Sequence, residues 1–105
     1  MRRALALAAL LSLLGGSASS AKEVTVQVGH NRLDPAEVAI GVGDTVVFQN
    51  QDQMPGGHTI VADDGSFSSP ALAKDQSWSH SFTAAGTYPY HIKEHAGAKG
   101  KVVVK

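Results

Sequence analysis

Three histidines and two neighbouring residues give this chain of 105 residues its main capacity for chemistry. His58 follows a Pro-Gly-Gly stretch, and His91 and His95 flank Glu94 near the end of the chain. Imidazole is the commonest protein ligand for copper, zinc and nickel. Met54, four residues before His58, adds a thioether, which favours copper(I). These residue types predict a transition-metal site.

The sequence carries none of the local signatures of common enzymes. It has no phosphate-binding Gly-Lys-Ser/Thr loop, no Gly-x-Ser-x-Gly elbow and no His-Glu-x-x-His zinc motif. A serine nucleophile also needs a positioned base and an orienting acid, and no local pattern supplies them. We therefore predict a protein that is not an enzyme.

The first 21 residues have the three-part layout of a secretory signal peptide. Arg2 and Arg3 come before an apolar run over 4–14, and a segment of small residues ends at Ala21. The apolar run is about 11 residues long, against the roughly 20 that a membrane span needs. We predict cleavage after Ala21, a periplasmic or secreted location and a mature domain over 22–105 with no membrane span.

The composition of the mature domain limits its partners. Seven basic and nine acidic residues give a net charge of about −2, which offers nothing to nucleic acid. The chain has no cysteine, so the disulfides on which many small exported domains depend cannot form. Either the core is sufficient alone or a bound metal adds stability. No linker or repeat divides the sequence, and we expect one monomeric domain.

Seven short segments with strand patterns must position the histidines. Apolar residues alternate with polar ones in several of them, and turn signals such as Gly43-Asp44 and Ala85-Gly86 lie between them. The predicted strands cover 24–28, 38–42, 45–48, 58–61, 78–82, 87–92 and 102–104. This pattern indicates an all-β sandwich or small barrel. Loops at one end of such a scaffold are the usual place for a binding site.

The order of the chemically notable residues resembles the cupredoxin family, and amicyanin, plastocyanin and pseudoazurin within it. The similar positions are Asn50, Met54-Pro55, His58, Gly86-Thr87-Tyr88, Tyr90, His95, Gly100 and Val102-Val103-Val104. The resemblance covers the mature chain and implies a cupredoxin-like Greek-key β-sandwich of seven to eight strands. It also implies that His58 and His95 are the two copper-ligating histidines, with Asn50 ordering the loops by hydrogen bonds.

Two of the family's four copper ligands are missing. The resemblance aligns Ile92 with the family's cysteine and Ala98 with its axial methionine. A blue type 1 site requires a copper–thiolate bond, so we do not expect one in this chain. Two glycines before His58 are a further departure, because amicyanin-like chains join the proline directly to the histidine.

Three functions therefore stay open. The first is an exported protein that binds or passes on copper through His58 and His95, with a periplasmic redox or copper-handling protein as its partner. The second is an electron-transfer protein of the plastocyanin or amicyanin type. The third is a metal-free interaction module, in which Ile92 and Ala98 fill the former metal cavity.

Met54, His91 and Glu94 are the candidates for a further, auxiliary ligand beside His58 and His95, with water as the alternative. Each of them, and each remaining histidine, has a structural interpretation as well. Alternation places His91 on the solvent face of its strand, and Glu94 reads as an exposed loop carboxylate. Met54 is suited to an apolar contact at the rim of its loop. His30 beside an asparagine is predicted to be a turn residue rather than a ligand. His80, on one face with two aromatic residues, is predicted to be a core histidine with a hydrogen-bond partner. If it is buried in its neutral form, it makes the fold acid-sensitive.

Overall fold

Eight β-strands in two sheets make up the part of the chain that the computed structural model describes, residues 21–53 and 56–105. The strands are β1 (Glu23–Gly29), β2 (Arg32–Asp34), β3 (Glu37–Ile40), β4 (Thr45–Asn50), β5 (Ile60–Ala62), β6 (Ser77–Ser81), β7 (Gly86–Ile92) and β8 (His95–Val104). One sheet has the strand order β2-β1-β4-β6 and the other β3-β8-β7-β5. The predicted all-β sandwich is confirmed. Nowhere among the described residues is there a helix long and apolar enough to cross a membrane.

The core forms where the apolar faces of the two sheets meet. Alternation along β1 buries Val26 and Val28 and leaves Gln27 exposed, because successive side chains of a strand point to opposite faces. Phe48 on β4 meets Tyr90 on β7 edge to face, with ring centroids 5.2 Å apart. Full burial of each apolar side chain of this size stabilises the folded state by roughly 1.5–3 kcal/mol. The two-sheet sandwich is therefore held by ordinary hydrophobic packing.

A close approach of backbone and aromatic ring makes one glycine of β8 necessary. A Cβ atom on Gly100 would lie 2.7 Å from the carbonyl oxygen of Ala36 and 2.7 Å from the hydroxyl of Tyr90. The Tyr90 side chain is fully buried, and this burial raises the pKa of its hydroxyl. Only a residue without a side chain fits at position 100.

Two strands differ from the sequence prediction. β2 pairs with β1 across a two-residue turn formed by His30 and Asn31. Asn31 has a φ of 57°, which lies in the left-handed region. Three residues are too few to show a period, so the pattern missed this strand. β8 begins at His95 instead of residue 102, and Ile92 pairs with His95 across the two-residue turn Lys93-Glu94. The segment predicted as a loop is a tight hairpin.

The start of the described domain is fastened to the turn between β3 and β4. The backbone N–H of Lys22 donates to Asp44 Oδ1 at 3.0 Å, and that of Gly41 donates to Asp44 Oδ2 at 2.9 Å. These two hydrogen bonds hold the pKa of the Asp44 carboxyl below its usual range. The predicted signal peptide, residues 1–21, lies outside the described residues except for Ala21.

The opposite end of the sandwich collects the turns that carry the candidate ligands. β1 and β4 run parallel with Val28 opposite Asn50, so the segments that follow them leave the sheet side by side. In the second sheet, Ile60 at the start of β5 lies opposite Ile92 at the end of β7. The segment before β5 therefore meets the β7–β8 turn at this same end.

Candidate metal centre

His58 is a buried imidazole whose nitrogens lack hydrogen-bond partners among the described residues. Its backbone is fixed by two hydrogen bonds with Leu72, at 3.0 and 2.9 Å. Its ring is 2% exposed, and Nε2 lies 3.1 Å from Asp52 Oδ2 but at an angle that does not make a hydrogen bond. Buried polar atoms in native proteins are almost always satisfied, so an unpaired imidazole is a candidate for binding a metal ion.

His95 lies beside His58, as the order of the residues predicted. It is the first residue of β8 and is partly buried. The centroids of the two imidazole rings are 5.0 Å apart and the rings are tilted by 41°. The structure thus brings together the two histidines that the sequence singled out.

Hydrocarbon occupies the positions that the family resemblance assigns to sulfur ligands. Ile92 is fully buried, and Ala98 is 2% exposed. Directly opposite residues of an antiparallel pair point to the same face of the sheet, so Ile92 shares its face with Ile60 and His95. No cysteine exists anywhere in the chain. These residues do not fit a type 1 copper ion, whereas two neighbouring imidazoles fit copper held by nitrogen ligands.

The structure gives the predicted auxiliary ligands other partners. His91 lies on the other face of β7 from Ile92, and its Nδ1 is 2.7 Å from Asp63 Oδ1. Both carboxylate oxygens of Glu94 accept hydrogen bonds from Thr59, one from N at 2.7 Å and one from Oγ1 at 2.8 Å. Partial burial raises the pKa of Glu94, but these hydrogen bonds outweigh it and hold that pKa below its usual value. Met54 lies outside the described residues.

Two residues that the sequence analysis did not assign to a site lie beside the histidine pair. His30 Nδ1 is 3.1 Å from Asp52 Oδ2, and the His30 and His95 rings meet edge to face with centroids 5.0 Å apart. One ligand atom each from His30, Asp52 and His95 lies within 4.8 Å of the others. We call these three residues together with His58 the histidine–aspartate cluster.

The register of the β1–β4 pair is the signal that could have predicted the positions of His30 and Asp52 at the site. Val28 and Asn50 are partners in the parallel β1–β4 pair, and His30 and Asp52 each follow two residues later. Equal offsets from a register pair bring two side chains to the same end of a sheet. The sequence prediction that His30 forms a turn is confirmed, but this turn faces the cluster.

Asn50 fixes the loop that carries Asp52. Its side-chain Nδ2 donates to the carbonyl oxygen of Leu72 at 2.9 Å, and its Oδ1 accepts from the backbone N–H of Asp52 at 3.0 Å. Because Leu72 is also the backbone partner of His58, Asn50 connects the segments that carry both cluster residues. This matches the loop-ordering role that the family resemblance implied.

His80 lies away from the cluster, in a row of aromatic rings. Its ring stacks on Trp78 at a centroid distance of 5.5 Å and lies 4.9 Å from both Phe67 and Phe82. The sequence predicted a core position, whereas the residue is only partly buried on the edge strand β6. Desolvation among these rings still lowers the pKa of His80.

Comparisons with known proteins agree on one family. Residues 2–104 match the Cupredoxin-like domain. Amicyanin from Paracoccus denitrificans is 35% identical over 85 residues, which cover 78% of this chain and 65% of that protein, just under two thirds of its length. Plastocyanin from Scenedesmus fuscus is 33% identical over 100 residues, which cover 79% of this chain and all of that protein.

Solved structures give the same answer for the fold. The oxidized form of an amicyanin variant is similar with a TM-score of 0.71 and 34% identity, covering 78% of this chain and 81% of that one. The predicted cupredoxin-like architecture is therefore confirmed, with eight strands in two four-stranded sheets. The relatives also support the prediction that the chain is not an enzyme.

Proposed function

Since the chain belongs to the cupredoxin family and is related to amicyanin, we propose that it is an exported protein that binds or passes on copper without forming a blue site. The observation that carries this proposal is the buried His58 imidazole, which has no hydrogen-bond partner among the described residues and lies against the ring of His95. Burying a polar group without a partner costs free energy, which a ligated ion would recover.

His58 and His95 are the residues that would hold the copper in this proposal. A copper ion on imidazole nitrogens without a thiolate lacks the bonding that defines blue electron-transfer sites. Such a site binds copper less tightly than one with a thiolate, and it therefore suits a protein that takes up and releases the metal. A periplasmic redox or copper-handling protein is the partner that this role implies.

The alternatives have weaker support. Electron transfer follows from the family resemblance, but the absence of cysteine from the whole sequence removes its characteristic ligand. A metal-free interaction module is favoured by one observation, the complete burial of Ile92 at the position where the family has its thiolate. Melting curves separate it from the copper-binding function, because an ion that binds only the native state raises its stability.

Calorimetric titration tests copper binding directly. We expect the mature protein to bind copper(II), or copper(I) under reductant, with a Kd below about 100 μM. His95→Gln should weaken this binding. His91→Gln is the matched control, because His91 is paired with Asp63 on the outer face of β7 and should leave the affinity unchanged. Failure of the unaltered protein to bind either oxidation state would refute the proposal.

The proposed export and signal-peptide cleavage can be tested separately from copper binding. A signal peptide that ends at Ala21 leaves Lys22 as the first residue of the mature protein. Lys22 already contacts the folded domain through Asp44, so cleavage there leaves no loose segment before β1. The intact mass of protein recovered from the periplasm or medium should correspond to residues 22–105. A mass that includes residues 1–21 would contradict this part of the proposal.

A further inference from the structure

We infer that Asp52 and His30 act with His58 and His95 as metal ligands, and that the completed site prefers copper(II) to copper(I). This inference rests on the proposed copper-binding function and specifies which ion the site takes. Neither Asp52 nor His30 occupies a ligand position that the family resemblance assigned. The two residues enter from the β2-β1-β4-β6 sheet, whereas His58 and His95 lie at the end of the other sheet.

Ligand atoms of three members of the cluster, His30, Asp52 and His95, lie within 4.8 Å of one another, and Asp52 connects this group to His58. Asp52 Oδ2 lies 3.1 Å from His30 Nδ1 and also 3.1 Å from His58 Nε2. Donors at about 2.0 Å from one ion lie about 2.8–3.3 Å apart in square or tetrahedral arrangements. The His95 ring completes the group, since its centroid is 5.0 Å from those of both His30 and His58.

The charge and burial of Asp52 point to a cation. Its side chain is only 4% exposed, and a nitrogen of each of two imidazoles lies 3.1 Å from its Oδ2. Carboxylate oxygen beside imidazole nitrogen is a donor set that binds divalent transition metals. An ion at Oδ2 would also bind the buried His58 ring, whose nitrogens make no hydrogen bond to the described residues.

The chemistry of the donors sets the preferred oxidation state. Carboxylate oxygen and imidazole nitrogen suit copper(II), whereas copper(I) is selected by thiolate and thioether sulfur. The chain has no cysteine. Met54 is the one sulfur in the neighbouring sequence, and its removal gives a direct check on a contribution from copper(I) ligation.

The experiment compares copper(II) and copper(I) affinities of the mature protein and four variants. Copper(II) is titrated by calorimetry, and copper(I) is measured under reductant against a competing copper(I) chelator. Asp52→Asn removes the charge with little change in shape, and His30→Gln alters a turn residue that is 60% exposed, so that at least one variant folds. Asp63→Asn is the matched control, because Asp63 is also paired with a histidine but on the outer face. Met54→Leu tests sulfur ligation.

We expect Asp52→Asn and His30→Gln each to weaken copper(II) binding by about 10-fold or more. Copper(I) binding should change much less, and Asp63→Asn and Met54→Leu should match the unaltered protein in both states. Electron paramagnetic resonance of the copper(II) form should report one coordinated nitrogen fewer in His30→Gln.

Three results overturn the inference in different ways. If both cluster variants retain full copper(II) affinity while the unaltered protein binds copper, the ligands are the histidine pair alone and the proposed function survives. If Asp52→Asn weakens copper(I) and copper(II) equally, or Met54→Leu weakens copper(I) binding, the preference for copper(II) is wrong. If the unaltered protein binds no copper at all, the proposed function itself fails.

Discussion

Replacing Ile92 by cysteine and Ala98 by methionine should give this protein a blue copper site. The register carries the argument, because Ile92 lies directly opposite Ile60 on one side and His95 on the other. Opposite residues present their side chains on the same face, so a thiol at position 92 points inward beside the His95 ring. His58 precedes Ile60 by two residues and shares that face.

The stability cost of the double substitution follows from the burial of both positions. Ile92 is fully buried, and a change from isoleucine to cysteine falls between Ile→Val and Ile→Ala, or about 1–3 kcal/mol. Placing methionine at the buried Ala98 overpacks the core by about 1–3 kcal/mol more. The combined loss of roughly 2–6 kcal/mol is smaller than the free energy of unfolding over most of the usual range of 5–15 kcal/mol, and a domain at the bottom of that range would fold only with copper bound. Copper present at about 100 times its Kd restores roughly 2.7 kcal/mol.

Visible absorption and urea unfolding, with and without copper, measure both effects. The copper-loaded double variant should be intensely blue and should unfold at a higher urea concentration than its metal-free form. Ile40→Cys is the control, because Ile40 is buried near the far end of the sandwich, opposite Val104, and should stay colourless. A folded double variant that binds copper without colour would mean that position 92 does not face the two imidazoles.

Three further predictions concern the scaffold. Desolvation places the folded-state pKa of His80 below the unfolded value near 6.5. The unfolded state therefore binds more protons, and the urea midpoint should fall as the pH drops from about 7 to 5, a dependence that His80→Leu should flatten. Gly100→Ala should destabilise the fold by about 1–3 kcal/mol in urea, since its Cβ meets Ala36, and an unchanged midpoint would contradict the packing. The hydrogen bonds from the N–H groups of Lys22 and Gly41 lower the pKa of the Asp44 carboxyl. The ionised carboxylate therefore stabilises the fold above the unfolded-state pKa, and this stabilisation is lost as the pH falls through the folded-state pKa. Asp44→Asn should therefore lower the urea midpoint at pH 7, and this effect should shrink as the pH is lowered below about 3.8, the unfolded pKa.

The local alternation of apolar and polar residues was sufficient to predict most of the strands. The alternation in β1 and β4 predicts their buried faces, since a half-buried strand needs only a period of two. It failed for the first half of β8, where Ala96, Gly97 and Ala98 are weak strand formers that lie between two residues paired with β7, His95 and Lys99.

The candidate site was only half predictable. The chain order placed His58 and His95 together through the family resemblance. His30 and Asp52 depend on the parallel pairing of β1 with β4, a non-local contact that neither segment encodes by itself. Glu94 was predicted to be a simple surface carboxylate, and only the folded hairpin reveals that it binds Thr59 next to His58.

The two-sheet origin of the histidine–aspartate cluster has a mechanical consequence. His30 and Asp52 extend from one layer of the sandwich, and His58 and His95 from the other. An ion held by all four would cross-link the layers and close long loops of the chain, which restricts the unfolded ensemble as a covalent bridge does. Metal occupancy would then be reflected in the resistance of the whole domain to unfolding, in a chain that has no sulfur bridges to serve that purpose.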